Sequence, residues 1–381
     1  MRVLIAPDKF KGAASAQEVA LAISEGVKMA IPNAGVDLCP LADGGDGTLA
    51  LLEAWLGALP KASRVTGPLG QPVVARWALS ADGLTAIIEM AAAAGLADLA
   101  QGQRNAANTT TFGVGELIGN ALNAGAKRIL LAIGGSATND GGVGMATALG
   151  YRFLNAKREA FLPVGGTLHE IVGIDNRGAR LPLAGIEVVV ACDVENPLLG
   201  PEGATYVYGP QKGADAASLD LMERGMTHLN NVWKETFGTD LARAPGAGAA
   251  GGMGAGAEVF LGGKRKKGID LVMEWTGFRE KAAQADLILT AEGRLDEQTL
   301  SGKVIKGVCD VARQYGVPVA AFCGQLDLNP DQIRELGLVY ANSIQKGPVS
   351  LQQSLQHSLP YLTFAAWQFA HVWQAARQAK G

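Results

Sequence analysis

Along this chain, short apolar runs end in clusters of glycine and charge, and they alternate with stretches whose apolar residues recur at helical spacing. A run over 3–6 predicts a first strand, followed by Pro7-Asp8-Lys9-Phe10-Lys11-Gly12. Ser15 with Glu18 three residues on reads as a capping box, and Val19, Ala22, Ile23 and Val27 form the apolar face of the helix it opens. A second strand over 36–41 runs into Ala42-Asp43-Gly44-Gly45-Asp46-Gly47-Thr48 and a helix over 49–56. Two successive strand–turn–helix units with charge at the strand's carboxyl end predict an open parallel sheet, whose ligands bind outside those ends. From about residue 61 the texture changes. Short strands around Gly67-Pro68, then over 75–79 and 85–90, predict an antiparallel meander and a second domain inserted into the first.

The chain is organised around one turn. An unbroken apolar run over 129–133 suits a strand covered on both faces. It leads into Gly134-Gly135-Ser136-Ala137-Thr138-Asn139-Asp140-Gly141-Gly142, and a helix follows from Val143 to near Gly150. A strand, a glycine-rich turn and a helix start can together bind an anion through outward backbone N–H groups. The alternative is a tight turn capped by Asp140, with no ligand.

Further on, a strand over 188–192 ends in Asp193-Val194-Glu195-Asn196-Pro197, and Gly209-Pro210-Gln211-Lys212-Gly213 precedes a helix over 217–237. The run 245–256 contains G-x-G-x-x-G at Gly246, Gly248 and Gly251, but no strand precedes it, so a dinucleotide fingerprint fails; GxxxxGK[ST] is absent. These glycines serve either close helix packing or close approach of a ligand. Lys264-Arg265-Lys266-Lys267 predicts a solvated loop. The C-terminal third returns to strands over 287–290, 317–322 and 338–341, the first leading into Glu292-Gly293-Arg294-Leu295-Asp296. A final helical region carries Trp367, Phe369 and Trp373, a stripe suited to the core or to a subunit contact, which leaves a homo-oligomer open.

At 381 residues the chain is long enough for two domains. Its net charge of −3 supplies no basic field for nucleic acid. Cys39, Cys192, Cys309 and Cys323 show no CxxC spacing and are expected to be reduced. The apolar start is too short for a secretion signal, and no stretch approaches the ~18 apolar residues of a membrane span. The expectation is a soluble, cytoplasmic protein without a membrane partner. Carboxylates beside anion-binding turns and lysines suit phosphoryl transfer: carboxylates hold Mg²⁺ and accept a hydroxyl proton, while cations and N–H groups neutralise the moving phosphoryl. A non-catalytic α/β phosphate- or nucleotide-binding regulatory protein is the competing reading. A dehydrogenase lacks its fingerprint.

These motifs, with Glu89-Met90-Ala91-Ala92-Ala93 between the first pair and the central turn, resemble in identity and order the type-1 glycerate kinase family, across essentially the whole chain. Departures are few: the family usually has Ser at Lys9, Glu at Asp46 and Pro at Ile305. The resemblance implies an α/β fold, with a Rossmann-like parallel-sheet domain built from both chain ends (1–60 and 285–381) and a second α/β domain inserted between them (61–284). It implies an active site in the cleft between the two. It also implies ATP and Mg²⁺ as cofactors, D-glycerate as substrate, phosphoglycerate as product with the 2-isomer favoured over the 3-isomer, and a place in glyoxylate, glucarate or galactarate breakdown.

On that basis, Asp193 and Lys303 are the expected catalytic residues, Asp193 as base for the glycerate hydroxyl. Asp8, Arg294, Glu292 and Asn139 are expected to bind substrate, with the planar fork of Arg294 on the carboxylate. Gly134, Gly135, Ser136, Thr138, Lys212, Gly248 and Gly251 are expected at the phosphates, and Asp43 and Asp296 at the metal.

Overall fold

The computed structural model describes residues 1–42, 48–179, 185–301 and 304–379; Asp43 and Lys303 therefore lie outside the described residues. The chain divides into two compact units, Met1–Trp55 with Gly268–Gly381, and Leu56–Lys267. The helices Gly268–Trp275 and Phe278–Ala282 thus go with the first unit.

Among the described residues, the first unit holds a five-stranded sheet in the order Leu338–Ser343, Val319–Leu326, Leu287–Leu295, Arg2–Ile5, Gly35–Leu38, with every neighbouring pair parallel. From Arg2–Ile5 the chain first builds outward to one side and later returns to build on the other. The topological switch point therefore falls between Arg2–Ile5 and Leu287–Leu295. In sheets of this kind the ligand crevice lies outside the carboxyl ends of the strands at that point. The helix Ala16–Ala30 begins with the expected capping box: Ser15 Oγ accepts from the Glu18 N–H at 3.3 Å, and Glu18 Oε2 accepts from the Ser15 N–H at 2.8 Å. It packs on the helix Ser358–Gln378, whose backbone comes so near that a Cβ at Gly26 would stand 2.3 Å from the Thr363 carbonyl oxygen. Phe369 is buried edge-on to Phe322 and stacks on Trp373, so this part of the aromatic stripe belongs to the core.

The strand Leu287–Leu295 runs five residues beyond the expected end at Thr290. Glu292 and Arg294 lie within it, opposite Cys323 and Gln325, rather than in a following turn.

The second unit holds, among the described residues, a six-stranded sheet in the order Lys264–Lys266, Glu187–Ala191, Arg128–Ala132, Thr85–Glu89, Pro72–Leu79, Leu59–Thr66. The first four strands are parallel and the last two complete the antiparallel meander. The basic run is thus an edge strand and not a solvated loop. Its backbone pairs with Val189–Ala191 while its side chains keep the charge that an edge tolerates. Phe260 of the helix Ala249–Leu261 centres an aromatic core, with Tyr151, Phe153, Trp233 and Phe237 all edge-on within 6.3 Å.

The fold is α/β, with a Rossmann-like parallel-sheet unit made from both chain ends and a second α/β unit inserted in it. Among the described residues no helix is long and apolar enough to cross a membrane, and the four cysteines are unpaired.

Candidate active site

In the first unit, the switch point opens into a cavity of about 1040 Å³. Asp8, Glu292, Arg294 and Asp296 all line it, together with Lys9 and Gln325. They converge because Asp8 follows Arg2–Ile5 alongside the extended part of Leu287–Leu295, where the Asp8 N–H donates to the Ala291 carbonyl at 2.8 Å. Asp8 and Glu292 are buried to 7% and 8% exposure. Arg294 is held by carboxylates: its Nη2 lies 2.6 Å from Asp327 Oδ2, and its Nε lies 3.4 Å from Asp296 Oδ2. The Arg294 hydrogen bond, followed by that from Gln325, holds the Asp327 carboxyl below the usual carboxylate range. Only Nε and Nη2 of the guanidinium enter these ion pairs among the described residues, so one end of the fork is left for another anion.

In the second unit, the turn 134–142 follows Arg128–Ala132 and precedes the helix Val143–Ala148. Asp140 is fully buried and faces inward. Its carboxylate accepts from the Thr111 N–H and hydroxyl, both at 2.8 Å, and from the Gly142 and Gly144 N–H groups at 3.1 and 3.3 Å. The amides at the helix start are therefore satisfied by Asp140, and burial pushes its pKa up against those four hydrogen bonds. What remains for a ligand is the front of the turn, where Gly134 has open space in place of a side chain.

Lys212 reaches this same turn from the interior, at 2% exposure. Its Nζ donates to Ser136 Oγ at 2.9 Å and to the Thr138 carbonyl at 2.8 Å. Burial pulls its pKa down to about 7, against the attraction of Asp140. Asn139 Nδ2 donates to Thr205 Oγ1 at 3.2 Å, whereas Asn139 Oδ1 and Thr138 Oγ1 are buried and have no partner among the described residues. Gly248 and Gly251 face protein backbone. A Cβ would stand 2.1 Å from the Pro197 carbonyl oxygen at the first and 2.0 Å from that of Thr138 at the second. The glycine-rich run thus serves close packing at these two positions. Asp193 is exposed, just beyond the strand Glu187–Ala191.

The structure thus gathers Asp8, Glu292, Arg294 and Asp296 in one cavity, and Gly134, Gly135, Ser136, Thr138, Asn139 and Lys212 around one turn. Sequence reasoning missed Gln325 and Gln345, both on the cavity wall. Both lie at the carboxyl ends of parallel strands, Val319–Leu326 and Leu338–Ser343, and the strand-end rule applied elsewhere would have found them.

A parallel α/β architecture with charged residues converging at its switch point defines the class of ligand-handling doubly wound proteins. The model of the glycerate kinase family matches residues 3–374. Glycerate kinase of Bacillus subtilis (strain 168) is 44% identical over 95% of each chain. Glycerate 2-kinase of Escherichia coli (strain K12) is 43% identical over 89% of each. A crystal structure from Salmonella typhimurium LT2, provisionally named glycerate kinase 2, superposes with a TM-score of 0.89 at 39% identity over 99% of each chain. The chain belongs to the glycerate kinase family, and it is an enzyme, a kinase.

Proposed function

We propose that this protein transfers the γ-phosphoryl group of ATP to D-glycerate, forming phosphoglycerate with the 2-isomer favoured over the 3-isomer. The observation that carries this reading, beside family membership, is the switch-point cavity with its Arg294 and its carboxylates. D-Glycerate is a three-carbon acid with little apolar surface, so charged and hydrogen-bonded contacts must supply its affinity. In this reading the open end of the Arg294 fork takes the carboxylate, with Asp8 and Glu292 on the hydroxyls. The front of the turn, at Gly134, Gly135 and Ser136, contacts phosphate, and Asp193 accepts the proton of the attacking hydroxyl.

Mg²⁺ fits this donor set. Among the described residues no cluster of three or more ligands would cage a metal. Mg²⁺ ordinarily keeps its waters and takes one or two carboxylates plus substrate phosphates. Asp296 on the cavity wall is the carboxylate that would hold it, its expected companion Asp43 lying outside the described residues. When bound, Mg²⁺ neutralises phosphate charge. The four unpaired cysteines support a reducing, cytoplasmic setting.

The test is ADP release from ATP in the presence of D-glycerate and Mg²⁺, with phosphorus NMR of the product. We expect glycerate-dependent release and a 2-phosphoglycerate signal. Release no greater than in a blank without glycerate would refute the reading, and a 3-phosphoglycerate signal would correct its regiochemistry.

A further inference from the structure

The switch-point cavity is far larger than a three-carbon acid needs, and at about 1040 Å³ it reaches the size of pockets that enclose drug-sized ligands. Its walls also differ from end to end. The charged residues lie on Leu287–Leu295 and in the segment after Arg2–Ile5. The segment after Leu338–Ser343 instead contributes Ile344, Pro348, Val349, Leu351 and Leu355. Two of these are conspicuously wet for apolar side chains: Leu351 is 75% exposed and Val349 is 39% exposed.

Gln345 stands among them. Gln345 Nε2 donates to Ser354 Oγ at 2.5 Å and to the Gly324 carbonyl at 3.4 Å. A carbonyl can only accept, so the Gly324 contact fixes which end of the amide is nitrogen. The other end, Oε1, is buried and has no partner among the described residues. A buried acceptor left unpaired is costly, and such groups normally find a donor.

We propose that this end of the cavity is a nucleobase site, in which apolar side chains of the 344–355 segment cover the face of a purine and Gln345 Oε1 accepts from its exocyclic amine. The assignment rests on ATP being the phosphoryl donor and adds the means by which adenine is selected. Adenine presents an amino group where hypoxanthine presents a carbonyl. Against Gln345 Oε1 that carbonyl would set acceptor against acceptor, so inosine nucleotides are excluded by an unpaired pair of oxygens and not by size. The neighbouring lysines of the cavity, Lys9 and Lys11, supply cations for the phosphates.

Calorimetric titration of the whole protein with adenosine and with inosine tests the site without requiring turnover, and steady-state kinetics with ATP and ITP follow it into catalysis. Adenosine should bind at least about tenfold more tightly than inosine, and ATP should exceed ITP in kcat/KM by a similar factor. Gln345→Leu should raise the KM for ATP about tenfold, bring the ATP-to-ITP ratio close to one, and leave the KM for D-glycerate within about twofold. Because Gln345 also ties Gly324 to Ser354, Leu351→Ala serves as a second variant. Leu351 is exposed, so the fold should be untouched while the KM for ATP rises. Equal binding of adenosine and inosine, or no change in ATP kinetics with either variant, overturns the proposal. Adenosine-selective binding without any turnover of ATP would instead refute ATP as the phosphoryl donor and leave the base site standing.

Discussion

At the scale of single residues, two cations have opposite situations. Arg294 is half in solvent and already faces Asp327 and Asp296, so it enters the proposed reaction as a group oriented in advance. Arg294→Lys keeps the charge but loses the fork. We expect the KM for D-glycerate to rise at least about fivefold while that for ATP stays within twofold. A glycerate KM within twofold of the parent would mean that the carboxylate is anchored elsewhere. Lys212 is instead buried, with a folded pKa of about 7 against an ordinary 10.5. Between those values the unfolded chain binds the proton that the folded protein has released. Stability therefore rises with pH through this window, and the cost of burying the charge is fully present below pH 7. Above about pH 9 the buried thiols act in the opposite sense. Burial raises Cys39, Cys309 and Cys323 above the ordinary thiol value of 9.0, so folded thiols keep protons that unfolded ones lose. The denaturation midpoint should climb from pH 7 to about 8.5 and then fall. In Lys212→Met the climb should vanish and the fall should remain; an unchanged climb would place the titrating group elsewhere.

At the scale of elements, glycine substitutions separate the structural from the ligand-binding use of the central turn. Gly251 has φ +71° and a would-be Cβ against the Thr138 carbonyl. Gly251→Ala should cost about 1–3 kcal/mol from overpacking alone, more with the left-handed backbone, and lower the Tm by about 5 °C or more. Gly134 has ordinary backbone and open space before it. Gly134→Val should leave the Tm nearly unchanged yet reduce kcat/KM for ATP about 10²-fold if the front of the turn meets phosphate. Parallel loss of Tm and activity in Gly134→Val would reduce the turn to a scaffold. The strands of this region were legible because they are unbroken apolar runs, as over 129–133. Three features were not legible, each for a physical reason. Lys264–Lys266 pairs through backbone at a sheet edge, where apolar pattern carries no signal. Leu287–Leu295 continues past its apolar run because polar side chains at a strand end face a cavity rather than a core. Lys212 sits between glycines and polar residues like any surface lysine, and only its two acceptors on the distant turn reveal its burial.

At the scale of the whole molecule, the sequence's change of texture near residue 61 has a counterpart in how the cores are partitioned. One buried cluster draws on Val3, Ile5, Ile23, Leu289, Phe322 and Phe369, all from the two chain ends. Another draws on Ile88, Leu131, Phe153, Val190, Trp233 and Phe260, all from the segment between. The inserted segment closes its own sheet and fills its own aromatic centre around Phe260. A unit of about 200 residues buries enough of its surface, roughly 70%, to be stable without a partner. The fragment 56–267 should therefore fold when expressed alone. Its circular dichroism should be that of an α/β protein, its thermal unfolding should be a single cooperative transition, and it should show no phosphorylation of D-glycerate, because Asp8, Glu292 and Arg294 all belong to the other unit. The first unit is different in kind: its central strands Arg2–Ile5 and Leu287–Leu295 come from opposite ends of the chain, and their pairing must close the whole insertion as a loop. The cost of loop closure grows only logarithmically with length, so even an insertion this long adds little to it. Phe260→Ala, which removes the centre of the inserted core, should cost about 3–5 kcal/mol in the fragment. If the fragment instead remains unfolded, or melts without cooperativity, the inserted unit depends on the rest of the chain, and the independence argued from its core is wrong.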